Sequence, residues 1–366
     1  MSDTTVLLLL TERFAAACEQ VAGFAVDPQV RVAGDAKNGD YQCNAAMSLA
    51  GRLGKERGEK VNPRQVAQQI VDAVDLAGIA EAPEIAGPGF LNIRLLPSFV
   101  AEQAGAALAS ERLAVPQAET PQRVVVAYSS PNIAKQMHVG HIRTTVIGDA
   151  LTRLLTFLGH DVIRQNHVGD WGTQFGMLIE HLREVGDVET AEIGDLESFY
   201  REAKKRFDSD DDFKTRARDT VVKLQRGDEE ERLAWTRFVD ETRKHTSTVY
   251  RQLGVLLTDE DWRAESAYND RLPSLVDDLL EGGVAEESDG AVVSFTPKYD
   301  APLMIRKSNG GFGYGTTDIA TAEYRAKTLG VDRSIYVVGS EQKPHLEQIA
   351  HAYNVDVGKV KIAIEL

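Results

Sequence analysis

Apolar residues recur at helical spacing over positions 4–22, 45–53 and 63–75. The last of these opens on Pro63, which suits a first helical turn because its missing N–H has no partner there anyway. Positions 90–95 alternate in polarity behind Gly87-Pro88-Gly89 and read as a strand. Positions 113–122, with Pro116 and Pro121, read as a linker. The pattern then changes. Val124, Val125 and Val126 sit in a continuous β-branched run over 123–128, the signature of a strand buried on both faces. A polar loop over 129–136 leads into a long helix, with Ile142, Val146, Ile147, Ala150, Leu151, Leu154, Leu155 and Leu158 as one apolar stripe and Gly159 as its stop. A second strand follows at 161–164. Strand, loop, helix and strand make a βαβ unit, and such units bind ligands at the carboxyl ends of their strands. The segment 129–141 is therefore where chemistry is expected.

Charged helical segments at 199–207 and 232–250 interrupt this pattern between about 187 and 300, and the acidic run 208–212 between them reads as a solvated loop. Strand character resumes at 303–307. Ser308-Asn309-Gly310-Gly311 reads as a hairpin turn into 312–315, a helix begins near Thr317, and 334–338 is another buried-type strand. The expected architecture is α/β. A small α+β domain (1–112) and a linker (113–122) precede a parallel nucleotide-binding sheet (123–366) split by a helical insertion at about 187–300.

Charge narrows the choice of partners. With 41 basic against 56 acidic side chains, the chain carries a net −15 and is no general nucleic-acid coater, whose affinity comes from neutralising phosphates. A local excess does exist: Arg31, Lys37, Arg52, Lys55, Arg57, Lys60 and Arg64 face only Asp35, Asp40, Glu56 and Glu59 over that stretch. It reads either as a docking face or as a solvated helical surface. Cys18 and Cys43 are too few for a disulfide framework and lack metal-ligand spacing, so a reducing compartment is expected. The apolar run 6–10 is too short, and lacks the basic flank, for a signal segment, and no run approaches a membrane span. A cytoplasmic monomer is expected.

Four of the eight histidines fall between 138 and 167. His138-Val139-Gly140-His141 puts two imidazoles at a helix opening, directly after a strand and loop. As a metal site this is poor, since no glutamate stands between them as in the metalloprotease arrangement. As a phosphate site it is good. Imidazole donors add to the free N–H groups and dipole of a helix N-terminus, and Gly140 lets a flat base or ribose approach the backbone.

These residues carry a resemblance. Ser129-Ser130-Pro131-Asn132-Ile133-Ala134-Lys135, followed by His138-Val139-Gly140-His141, is similar to the signature of class I aminoacyl-tRNA synthetases. Ile147-Gly148-Asp149-Ala150, the run from Arg164 through His167, Asp170 and Trp171 to Gly176, and Thr316-Thr317-Asp318-Ile319-Ala320 resemble the arginyl-tRNA synthetase family in particular. Gly39-Asp40-Tyr41-Gln42-Cys43-Asn44-Ala45-Ala46 and Ala86-Gly87-Pro88-Gly89-Phe90-Leu91-Asn92-Ile93 resemble that family's additional N-terminal domain, which by resemblance meets the tRNA elbow.

The resemblance implies a Rossmann-like catalytic domain, ATP with Mg2+ as substrate, and arginine and tRNA(Arg) as partners; no all-protein site for the metal can be read in the sequence. It implies that arginine is activated as its adenylate and passed to the 3′ end of tRNA. His138, Gly140 and His141 would hold ATP, with Lys135 as a further phosphate cation. Asn132, Tyr314, Asp318 and Gln342 would hold the amino acid, and Asp170 and Trp171 would be supporting residues. Read from position alone, Asp318 is also a good dipole partner in a first helical turn. Two residues depart from the family: Ala127 stands where Asp or Glu is usual, leaving the pocket a carboxylate short, and Gln136 stands where proline is common. A second signature loop and an anticodon-binding domain are expected to lie beyond Leu366. The alternatives are a paralogue that activates an amino acid without tRNA and a non-catalytic fragment binding ATP or tRNA.

Overall fold

The computed structural model describes residues 5–133, 135, 137–186, 196–353 and 360–363. Contacts divide the chain into two units, Met1–Ala118 and Glu119–Leu366.

In the first unit, α1 (Val6–Ala22), β1 (Val30–Val32), β2 (Tyr41–Cys43), α2 (Ala45–Arg57), α3 (Pro63–Ala73), β3 (Glu84–Ala86), β4 (Phe90–Ile93) and α4 (Pro97–Ala109) follow in order. The strands form an antiparallel sheet in the order β1-β2-β4-β3. Leu10 and Phe14 of α1, Leu49 of α2, Ile70 of α3, and Leu91 and Ile93 of β4 close one core. Residues of the basic stretch are used locally: Lys37 pairs with Asp35 at 3.1 Å, Arg52 lies 4.0 Å over the Phe24 ring, and Arg64 donates to the Gly87 carbonyl at 2.6 Å. Surface contacts of this kind add little stability.

The second unit opens with β5 (Arg123–Ala127), α5 (Val139–Phe157) and β6 (Asp161–Gln165). Much later come α11 (Tyr314–Glu323), β10 (Arg333–Val337), α12 (Lys343–Ala352) and β11 (Val360–Ala363). The sheet runs β11-β10-β5-β6 and every pairing is parallel. The chain leaves β5 towards β6 on one side, while β10 pairs on the other. That is a topological switch point, where an open α/β sheet forms its ligand crevice.

The stripe expected on α5 is only partly its buried face. Thr145, Gly148, Asp149 and Thr152 are buried, Ile147, Leu151 and Leu155 are half-covered, and Ile142, Val146 and Leu154 are exposed. The reason is proximity: a Cβ on Gly148 would stand 2.3 Å from the Tyr128 side chain, so the close face must carry small residues.

Between β6 and α11 lie α6 (Thr173–Val185), α7 (Leu196–Ser209), α8 (Asp211–Arg226), α9 (Glu229–Leu253), α10 (Leu272–Glu281) and three strands, β7 (Glu286–Ser288), β8 (Ala291–Thr296) and β9 (Tyr299–Arg306). The insertion is thus not wholly helical, because β7-β8-β9 form an antiparallel sheet of their own. Nor is the acidic run 208–212 a loop. Asp208 lies in the last turn of α7, the Asp210 carboxylate accepts from the Phe213 amide at 3.0 Å, and Asp211 and Asp212 occupy the first turn of α8. Carboxylates are stabilising there, against free amides and the positive end of the dipole. Phe175, Phe199, Phe213 and Phe238 share the insertion's core, beside which Arg183 bonds Glu180, Glu230 and Glu231 at 2.7–2.9 Å. No described helix is long and apolar enough to cross a membrane.

Candidate functional site

Past the end of β5 the backbone is strained. Ser129 and Ser130 have φ of +71° and +49°, a region that favours glycine. The surroundings hold it there. Ser129 Oγ meets the Tyr250 hydroxyl at 2.7 Å, Asn166 Nδ2 donates to that hydroxyl at 3.0 Å, and the Ser130 amide donates to Asn166 Oδ1 at 3.0 Å. Tyr250 comes from α9, so the insertion helps to shape the loop. Farther along, the Ile133 amide donates to the Gly169 carbonyl at 3.1 Å. A Cβ on Gly169 would stand 2.5 Å from Asn132 Oδ1, so glycine there permits the Asn132 side chain its position.

The histidine pair caps α5. His138 Nδ1 accepts from the Gly140 amide at 3.1 Å, and His141 Nδ1 accepts from the His138 amide at 3.3 Å. The rings lie 4.0 Å apart between centroids. An acceptor at Nδ1 puts the hydrogen of a neutral imidazole on Nε2, leaving two outward donors at a helix N-terminus. Burial, followed by His138 and Lys135, holds the His141 imidazole below its ordinary 6.5.

A cleft of about 770 Å³ at the carboxyl ends of β5 and β10 brings together Asn132, His138, Gly140, His141, Tyr314, Asp318 and Gln342. Lys135 is not one of its wall residues; its Nζ lies 5.0 Å over the Tyr200 ring. Gln136 lies outside the described residues.

The far end of the cleft is acidic. Because α11 starts at Tyr314, Asp318 stands in the second turn, not the first, and a dipole role weakens accordingly. Its carboxylate instead meets His345 Nε2 at 2.6 Å and His167 Nε2 at 3.6 Å. Burial keeps the His167 imidazole below its ordinary value despite Asp318. Tyr314 is exposed at the mouth. Glu265, which the sequence reading missed, lies in the cleft wall, and burial together with Asp318 and Asp170 pushes its carboxyl up to about 8. Asp170 is itself buried and pushed up to about 6, even while accepting from the Ser266 amide and hydroxyl at 2.9 and 2.6 Å. Trp171 packs edge-on against Trp235 at 6.0 Å. Ala127 and Glu265 line the same cleft from different elements. His345 and Arg325 were also missed. No spacing in the sequence marks Glu265, His345 or Arg325, because each reaches the cleft from an element far from the histidine loop.

Comparisons with known proteins agree on one family. Residues 103–358 match the model described as tRNA synthetases class I (R), catalytic domain, and residues 9–95 match the arginyl tRNA synthetase N terminal domain. The chain belongs to the class I arginyl-tRNA synthetase family. It is 48% identical over 354 residues to an arginine–tRNA ligase of Chromobacterium violaceum, covering 94% of this chain and 60% of that one. It is 51% identical over 321 residues to one from Cellvibrio japonicus, covering 85% and 54%. The chain therefore spans little more than half the length of these curated synthetase relatives. The arginyl-tRNA synthetase structure from Plasmodium falciparum superposes with a TM-score of 0.85 at 28% identity, over 98% of this chain and 64% of that one. The Thermus thermophilus arginyl-tRNA synthetase, at 22% identity and TM-score 0.70 over 97% and 65%, shares the fold.

Proposed function

We propose that this chain carries the activation site of an arginine–tRNA ligase: ATP and arginine form arginyl-adenylate, and the arginyl group passes to the 3′ end of tRNA(Arg). The observation that supports it is one cleft holding an anion-binding helix turn at one end and a carboxylate pocket at the other. The arginine carboxylate attacks the α-phosphorus and pyrophosphate leaves, so catalysis rests on positioning and on donors aimed at the spreading charge. His138 and His141 offer their Nε2–H groups to the triphosphate beside the α5 amides, and Gly140 leaves room for the ribose or base. Lys135 supplies a further positive charge near that turn. Asp318 and Glu265 face the guanidinium, a planar cation whose five donors suit paired carboxylates. Asn132 and Gln342 reach the rest of the amino acid, with Tyr314 at the entrance. Mg2+ would arrive on the ATP phosphates, as it usually does at such sites. The first unit is the surface for the tRNA elbow, and the protein acts as a cytoplasmic monomer.

Arginine-dependent ATP–pyrophosphate exchange, with and without tRNA(Arg), tests this. Exchange that needs tRNA and falls about a hundredfold in His138→Ala or His141→Ala would support it, that being the loss typical of one transition-state donor. Exchange unaffected by both substitutions would remove the phosphate role. Exchange with another amino acid and no tRNA would favour a paralogue instead.

A further inference from the structure

Arg325 is the largest fully buried side chain among the described residues, 1% exposed, yet it lines the cleft. It sits in a single π-helical turn, Tyr324–Thr328, that ends α11. Such turns are rare and frequently lie at functional sites. Arg325 Nε donates to Gln165 Oε1 at 2.5 Å, and the guanidinium carbon lies 4.5 Å from the Tyr336 ring centroid. Its Nη1 and Nη2 make no hydrogen bond of normal geometry among the described residues, although the guanidinium bears weakly on the Tyr336 hydroxyl.

Strand register explains why those donors are bare. Tyr336 of β10 pairs with Ala127 of β5, and Ala127 pairs with Gln165 of β6. Paired residues on neighbouring strands present their side chains to the same face of a sheet. The two residues that fix Arg325 therefore flank Ala127, and at the position between them stands only a methyl group. Ala127, itself buried, also lines the cleft, so a ligand at this point of the wall would meet a methyl group and not a carboxylate. A buried guanidinium with unmet donors is costly, and a carboxylate that accepts two parallel N–H bonds is the group that best relieves it.

We propose that Arg325 anchors the α-carboxylate of the amino acid through Nη1 and Nη2, and that alanine at 127 leaves it free to do so. This rests on the reading of the cleft as an amino-acid site, and it makes that site bipolar. Asp318 and Glu265 take a cationic side chain, while Arg325 takes the opposite end of the same molecule. A carboxylate introduced at 127 would then pair with Arg325 and displace the ligand's own.

Calorimetric titration with arginine and with agmatine, which is arginine without its carboxylate, tests the proposal in the wild type, Ala127→Asp and Arg325→Lys. The wild type is expected to bind arginine about ten- to a hundredfold tighter than agmatine, the range for hydrogen bonds to a charged group. In Ala127→Asp the ratio should fall close to one through loss of arginine affinity, and the ligand-free thermal midpoint should rise. Arg325→Lys keeps the charge without the fork and should also lower the ratio. Equal binding of both ligands by the wild type overturns the anchor and leaves the amino-acid reading standing. Tighter arginine binding in Ala127→Asp, or an unchanged ratio there, likewise overturns it. If the wild type binds neither ligand, the amino-acid reading fails and the anchor with it.

Discussion

Arginine binding should expel a proton, and Glu265 is its source. Burial, and then Asp318 and Asp170, push its carboxyl up to about 8. At pH 7 Glu265 is then mostly protonated in the free site, and a neutral carboxyl is a poor partner for a guanidinium. Apparent affinity is reduced by the fraction of competent sites, so arginine should bind about elevenfold more weakly at pH 7 than well above pH 8, and about a hundredfold more weakly at pH 6. Calorimetry at pH 7 in phosphate and in Tris, whose ionisation enthalpies differ, should show close to one proton released per arginine. Glu265→Gln should bind arginine more weakly at pH 9 and remove that proton. Should Glu265→Gln keep the same pH slope, the proton belongs to another group and the pocket has been assigned wrongly. The unliganded chain gives an independent check. A carboxyl raised from 4.5 to about 8 binds more protons folded than unfolded, so its contribution is fully present below pH 4.5 and lost as pH rises through 8. At about 1.36 kcal/mol per pH unit the loss is on the order of 5 kcal/mol, and arginine should offset part of it above pH 8.

Three further outcomes are expected. Gly169→Ala places a Cβ 2.5 Å from Asn132 Oδ1, so it should weaken amino-acid binding at least tenfold in a titration while moving the thermal midpoint little. Tyr250→Phe removes the hydroxyl shared by Ser129 and Asn166 and should destabilise the second unit by about 1–3 kcal/mol in denaturant unfolding. His138→Ala removes a helix cap as well as a phosphate donor, so it should lower stability by about 0.5–2 kcal/mol alongside its effect on ATP binding.

Legibility in the sequence followed the range of the interactions. The Val124–Val126 run and the histidine turn were readable because a buried parallel strand and a helix N-terminus each leave a local pattern. The small-residue face of α5 was not, since periodicity reports which residues are apolar and not which face meets a neighbour closely enough to demand Gly148. Helix α8 was hidden by its charges, and Asp210 looked like loop because a capping aspartate and a solvated one are the same letter. Glu265 and Arg325 are defined by what surrounds them in space: one by two other carboxylates, the other by a glutamine and a tyrosine from separate strands. Asp318 was named only through resemblance, and its histidine partners needed the fold.

The strand order also bears on how the site comes into being. β5 and β6 are joined by one helix, so they and the histidine turn can associate after a short loop closure. β10 reaches the other side of β5 only when the chain has doubled back, and there the Asp332 carboxylate accepts from the Arg123 amide 209 residues away. Pairings of such separation form slowly, because the intervening chain must be ordered before the contact rewards it. The two ends of the cleft thus rest on contacts of very different sequence separation. The histidine turn follows β5 directly in the chain, whereas Asp318, Arg325 and His345 reach the cleft only from segments flanking β10, so that side of the site depends on the long-range closure of β5 with β10.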